Sequence, residues 1–97
     1  AGYTYSKAIN VKATAYTPYD AGCTGVTATG MKAGKGVVAV DPKVIPLGSR
    51  VYVPGYGVAI AADTGGAIKG GRLDVCVDSV SEAYSWGVRN VTVYVLE

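Results

Sequence analysis

Apolar and polar positions alternate with a period of two along much of the chain. Ile9, Val11, Ala13 and Ala15 stand against Asn10, Lys12 and Thr14, the signature of a strand with one buried face. Similar apolar runs fall at residues 37–40, 50–53, 58–62, 73–77 and 91–96, which predicts about six strands. Clusters of Gly, Pro, Asp and Thr separate them, and fourteen glycines in so short a chain point to tight turns and close backbone approaches. Ser79 followed by Glu82 has capping-box spacing and leads through Ala83, Tyr84 and Trp86 to Gly87, predicting one short helix. A second turn of helix is expected at Asp41-Pro42, with Asp as N-cap and Pro at the first helical position. Many short strands with only local helices predict a closed or nearly closed β-barrel, an architecture that leaves no sheet edge exposed.

Ninety-seven residues make one domain, 1–97, with a compact core. The net charge of +2 comes from nine basic residues without a run of Lys or Arg, so nucleic acid is not an expected partner. No apolar stretch reaches the roughly 18 to 20 residues of a membrane-spanning helix. The chain begins at Ala1, without Met or a signal peptide, as expected of a mature form or an excised domain. Histidine is absent, which excludes Ser-His-Asp and Cys-His catalysis and removes the commonest zinc ligand. Any acid or base is therefore a carboxylate, Lys, Tyr or Cys, and neither metal nor cofactor is expected. Gly30 to Gly36 has glycines beside Lys35, but Gly36 follows the lysine where a phosphate loop carries Ser or Thr, so nucleotide binding is rejected. Cys23 and Cys76 are too far apart for a CxxC motif. Two readings are open: one disulfide, stabilising by about 4 kcal/mol in the chain-entropy model, or two separate buried thiols.

Five aspartates, Asp20, Asp41, Asp63, Asp74 and Asp78, supply most of the acidic groups. In the run 72–78, Leu73, Val75 and Val77 share one face of a strand, while Asp74, Cys76 and Asp78 share the other. An aspartate inside a strand needs a reason; a solvated strand face is one, a cleft another. N-capping before Pro42 accounts for Asp41, and a turn into Gly65-Gly66 accounts for Asp63. The glycines at 65, 66, 70 and 71 add a functional reading, because they let backbone amides approach a ligand or a second carboxylate. Carboxylates sharing a cleft can hold different protonation states, which is what glycosidic cleavage requires.

The ordered runs Ala13-Thr14-Ala15-Tyr16-Thr17, Thr27-Ala28-Thr29-Gly30, Val38-Ala39-Val40-Asp41-Pro42, Ile45-Pro46-Leu47-Gly48, Asp63-Thr64-Gly65-Gly66-Ala67-Ile68-Lys69-Gly70 and Arg72-Leu73-Asp74-Val75 resemble the bacterial three-aspartate (3D) domain over residues 9–97. The family's aspartates correspond to Asp41, Asp63 and Asp74. The resemblance implies a mainly β protein, a small six-stranded double-psi β-barrel with short helices, similar to the catalytic barrel of membrane-bound lytic transglycosylase A. It implies action on the GlcNAc-MurNAc strands of peptidoglycan by a secreted or wall-associated bacterial protein. Asp74 maps onto the catalytic acid and base, with Asp63 and Asp41 as supporting carboxylates.

Substrate contacts are expected from Thr17, by its place in the family motif, and from Lys69, whose cation suits a muramyl carboxylate. Tyr16 and Tyr19 are expected as loop-borne groove residues, with Gly65 and Gly66 shaping the backbone around a ligand. The alternatives are a non-catalytic expansin-like glycan-binding module, an inverting glycoside hydrolase and, more remotely, an aspartic protease, which shares Asp63-Thr64-Gly65.

Overall fold

The computed structural model describes residues 4–18 and 25–97. Its elements run β1 (Tyr5–Tyr16), β2 (Val37–Val40), β3 (Arg50–Val53), β4 (Gly57–Asp63), β5 (Arg72–Cys76), α1 (Val80–Trp86) and β6 (Arg89–Leu96). The strands close into a barrel in the order β1-β5-β2-β4-β3-β6. Parallel pairs (β1 with β5, β2 with β4) mix with antiparallel ones. The protein is thus a mainly β, six-stranded mixed barrel with one short helix.

The period-two pattern becomes an inner face. Val11, Ala13, Val38, Val40, Val51, Val53, Ala59, Ala61, Leu73, Val75, Val93 and Val95 form the barrel interior. Their small and β-branched side chains suit the narrow bore of a six-stranded barrel. Strand β2 is buried along its whole length, so it reads as the unbroken apolar run Val-Val-Ala-Val rather than as alternation. Its outward Val37 and Ala39 belong to a second cluster with Tyr16, Ala33, Ala62, Ile68 and Cys76. That cluster lies outside the barrel wall, beneath the 25–36 segment that carries Ala33 and the 64–71 loop that carries Ile68.

Helix α1 starts and stops as its sequence predicts. The Ser79 hydroxyl accepts the Glu82 amide at 3.1 Å, and Gly87 ends the helix at φ +64°, a conformation that costs glycine little. Trp86 anchors the helix by donating its indole N–H to the Ala13 carbonyl at 3.3 Å. At Asp41-Pro42, Asp41 caps as expected, its Oδ1 accepting the Lys43 amide at 3.0 Å, but only a single turn follows and no helix extends from it. Residues 42–44 form a turn, closed by Val44 and Ile45 amides donating to the Asp41 carbonyl. The chain leaves that turn at once because Ile45, 1 % exposed, is drawn into the core.

The directions of the strands define two ends of the barrel. Asp41, Asp63 and the 64–71 loop lie at one. The β3–β4 hairpin, the start of β2, the end of β5 and α1 lie at the other. At this hairpin end the half-buried Tyr56 phenol accepts the Gly36 amide at 2.6 Å and donates to the Cys76 carbonyl, stitching three connections together. No helix among the described residues is long and apolar enough to cross a membrane.

Candidate functional site

Two of the aspartates are brought together by strand register. Ala39 of β2 pairs with Asp74 of β5 on one side and with Asp63 of β4 on the other, while Asp74 also pairs with Thr14 of β1. Asp63, Ala39, Asp74 and Thr14 therefore form one row across four neighbouring strands, the two aspartates about two strand spacings, or roughly 10 Å, apart. A β-bulge makes the row. Val38 pairs with Ala61, but Ala39 pairs with Asp63, so Ala62 is the extra residue. Ala62 already packs in the outer cluster; the bulge breaks the alternation that would send Asp63 inward and leaves it outside as well.

The three aspartates differ in what holds them. Asp41, 8 % exposed, accepts the Lys43 amide on Oδ1 at 3.0 Å and the Gly70 amide on Oδ2 at 2.8 Å. These two N–H groups, with Lys69 and Lys43 nearby, hold its carboxyl below the ordinary value despite burial. Asp41 thus latches the far end of the 64–71 loop to the end of β2. Asp63 accepts the Ala28 and Thr64 amides on Oδ1 at 3.0 and 2.9 Å, and the Tyr16 hydroxyl on Oδ2 at 3.2 Å. Three donors tie it to the 25–36 segment, to its own loop and to the end of β1. Asp74, half-buried, accepts the Thr14 hydroxyl on Oδ1 at 3.0 Å.

This difference matters for proton transfer. A backbone N–H can only donate, so it favours an ionised carboxylate. A threonine hydroxyl can donate to a carboxylate or rotate to accept from a carboxylic acid. The Thr14 hydroxyl therefore fits either protonation state of Asp74, whereas the amides on Asp41 favour the ionised form.

The other predicted residues divide. Tyr16 is not on a loop: it ends β1, is 8 % exposed and spends its hydroxyl on Asp63. Burial, followed by the neighbouring Cys76 and Asp63, pushes its phenol well above the ordinary value, so it remains a donor. Thr17 is 1 % exposed, so its side chain is enclosed by the fold rather than presented at the surface. Lys69 and Gly66 are exposed on the latched loop, whereas Gly65 is half-buried, its Cα hydrogen directed at Ile68 closely enough that a Cβ would approach Ile68 Cγ1 to 3.0 Å. Tyr19 and Cys23 lie outside the described residues, and Cys76 is fully buried.

Sequence reasoning missed Thr14, Ala28 and Arg72 as parts of the site. Thr14 was legible only as an outward residue of β1; its pairing with Asp74 depends on long-range register. Ala28 acts through its backbone and carries no side-chain signal. Arg72 precedes Asp74 by two residues on the same face and pairs with Lys12, and its Nε is buried without a partner among the described residues. Lys12 and Arg72 thus stand at the register position next to Thr14 and Asp74.

Comparison with known proteins bears on the fold and the family. The chain is 61% identical over 95 residues to the cell wall-binding protein YocH of Bacillus subtilis (strain 168), covering 94% of this chain and 33% of that protein. It is 52% identical over 94 residues to the putative cell wall shaping protein YabE of the same strain, covering 93% of this chain and 23% of that protein. The chain thus spans about a third or less of the length of these relatives. Among solved structures, the lytic transglycosylase MltA of Escherichia coli is similar in fold, with a TM-score of 0.59 and 24% identity over 74% of this chain and 27% of that one. Its complex with chitohexaose superposes with a TM-score of 0.60 at 23% identity, over the same shares. A family model described as the 3D domain matches residues 36–97, from the start of β2 to the C-terminal residue, and so takes in all three aspartates; the chain belongs to the 3D domain family.

Proposed function

We propose that this domain acts on peptidoglycan glycan strands as a lytic transglycosylase, with Asp74 as the single acid and base. The observation that carries the reading is the Thr14–Asp74 pair: a half-buried carboxyl whose hydroxyl partner serves both of its protonation states. Protonated Asp74 gives its proton to the oxygen joining N-acetylmuramic acid to N-acetylglucosamine. The resulting carboxylate then takes the proton of the muramyl O6 hydroxyl as that oxygen closes on the anomeric carbon, leaving a 1,6-anhydro end and consuming no water. Asp63 and Asp41 shape the groove by holding the 25–36 segment and the 64–71 loop, and Lys69 and Arg72 meet carboxylates of the glycan. Such a substrate places the protein outside the cell, secreted or at the wall.

A second reading, a glycan-binding module without turnover, is supported by the relative named for cell wall binding. Mass analysis of purified peptidoglycan after incubation separates the two. Anhydromuramyl ends, lighter by one water than hydrolysed ends, are expected. Glycan that co-sediments with the protein but is chemically unchanged would establish the binding module instead, and reducing ends would mean hydrolysis.

A further inference from the structure

A cavity of about 290 Å³ lies at the hairpin end, lined by Lys35, Gly55, Tyr56, Val77, Ser81, Glu82, Ser85, Trp86 and Arg89. It is on the far end of the barrel from Asp41 and Asp63, and nothing in the carboxylate face uses it. Its volume is near the lower end for ligand sites, so its occupant is small.

The wall has a preorganised cation. The Arg89 guanidinium lies 4.0 Å over the Trp86 ring, while its Nε donates to the Trp86 carbonyl at 3.1 Å and Nη2 to the Ser85 carbonyl at 3.4 Å. Nη1 has no partner among the described residues. It faces Gly55, where a Cβ would stand 3.2 Å away, so glycine keeps the approach to this nitrogen open. Lys35 supplies a second cation. Its backbone amide is held by Asp78 at 3.2 Å, but its ammonium pairs with no carboxylate among the described residues. Glu82 shares one oxygen with the Ser79 hydroxyl at 3.3 Å, which leaves the other to accept an N–H. Ser81 and Ser85, one helical turn apart, add two hydroxyls. A neutral sugar would need an open aromatic face, yet Trp86 is covered by Arg89 on its ring and contacted by Tyr56, whose centroid is 6.1 Å away at 87°.

We propose that this cavity binds a small carboxylate with a short apolar body, presented by the end of a peptide or by an acidic sugar. The carboxylate meets Arg89 Nη1 and the Lys35 ammonium, the apolar part lies against Val77 and Tyr56, and Glu82 accepts an amide N–H.

Trp86 is the one tryptophan of the chain, so its fluorescence reports this site alone. Titration with Nα-acetyl-alanyl-alanine, with the same peptide amidated at its C-terminus, with N-acetylmuramic acid and with inorganic phosphate tests the proposal. A saturable change with the free-acid peptide assigns the peptide source, and one with N-acetylmuramic acid assigns the acidic sugar. Lys35→Gln, which breaks no side-chain hydrogen bond or ion pair among the described residues, is expected to weaken binding about tenfold; Arg89→Gln, read after its melting curve confirms folding, weakens it further. Asp74→Asn binds as the native chain does, which separates this site from the proposed catalysis. Three results overturn it: no saturable change with either carboxylate, an equal response to the amidated peptide or to phosphate, or unchanged affinity in both Lys35→Gln and Arg89→Gln.

Discussion

The two ends of the barrel are closed by different physics. At the Asp41 end, carboxylates accept backbone amides, and the segments so held frame an outward face with Asp74 in it. At the hairpin end, Trp86 and Tyr56 bury large rings, and a cation stacks on one of them. Charge-assisted hydrogen bonds are directional and depend on protonation. The burial of large rings depends chiefly on the apolar area removed from water and is indifferent to acid. Loop placement at one end therefore rests on charged acceptors, and at the other end the contacts are chiefly those of large rings.

The largest effect that tests this division is on activity. Asp74→Asn keeps the side chain's shape and its acceptor for Thr14 but cannot transfer a proton, so glycan cleavage falls by about 10²–10⁴-fold while the melting temperature barely moves. Unchanged turnover would remove Asp74 from the chemistry.

Stability comes next, from the opposite end. Trp86→Ala removes a ring that is 8 % exposed and packs in the main core, and is expected to cost about 3–5 kcal/mol in urea unfolding. A loss below about 1 kcal/mol would mean that the hairpin end does not carry the fold. Tyr56→Phe is subtler: it keeps the ring but removes the hydroxyl that accepts the Gly36 amide and donates to the Cys76 carbonyl, for about 1–3 kcal/mol.

The smallest expected effect carries a pH signature. Asp41 has a depressed folded-state value, the Gly70 and Lys43 amides being the chief causes. Its contribution to stability is present above the unfolded value near 3.8 and is lost as pH falls through the folded value. Asp41→Asn, which turns an N–H toward a donor amide, should therefore melt lower than the native chain at neutral pH, with the gap closing in acid below that value. A gap independent of pH would show that the latch does not work through charge. The Tyr56→Phe gap, by contrast, should persist across the same acid range.

Much of the fold was legible because its signals are local. Period-two alternation and short apolar runs located the six strands, β2 and β3 to the residue, and the Ser79/Glu82 pair with Gly87 delimited the helix. At Asp41-Pro42 the capping residues set how the backbone enters its one turn; the core's demand for Ile45 decided how it left. Tyr16 read as a loop residue because Pro18 and the polar residues around it resemble a loop, yet an outer cluster and Asp63 extend β1 to include it.

The sequence by itself determined the strands, the helix, the absence of histidine chemistry and which carboxylates were candidates, since each depends on neighbours a few residues apart. Tertiary structure alone decided the roles within that set. A one-residue change of register turns every side chain to the opposite face, so the bulge at Ala62 that leaves Asp63 outward, and the pairing that gives Asp74 a partner 60 positions away in Thr14, leave no trace in local composition. The same holds for the Arg89 cavity, which exists only because the barrel brings residues 35, 55 and 89 to one end.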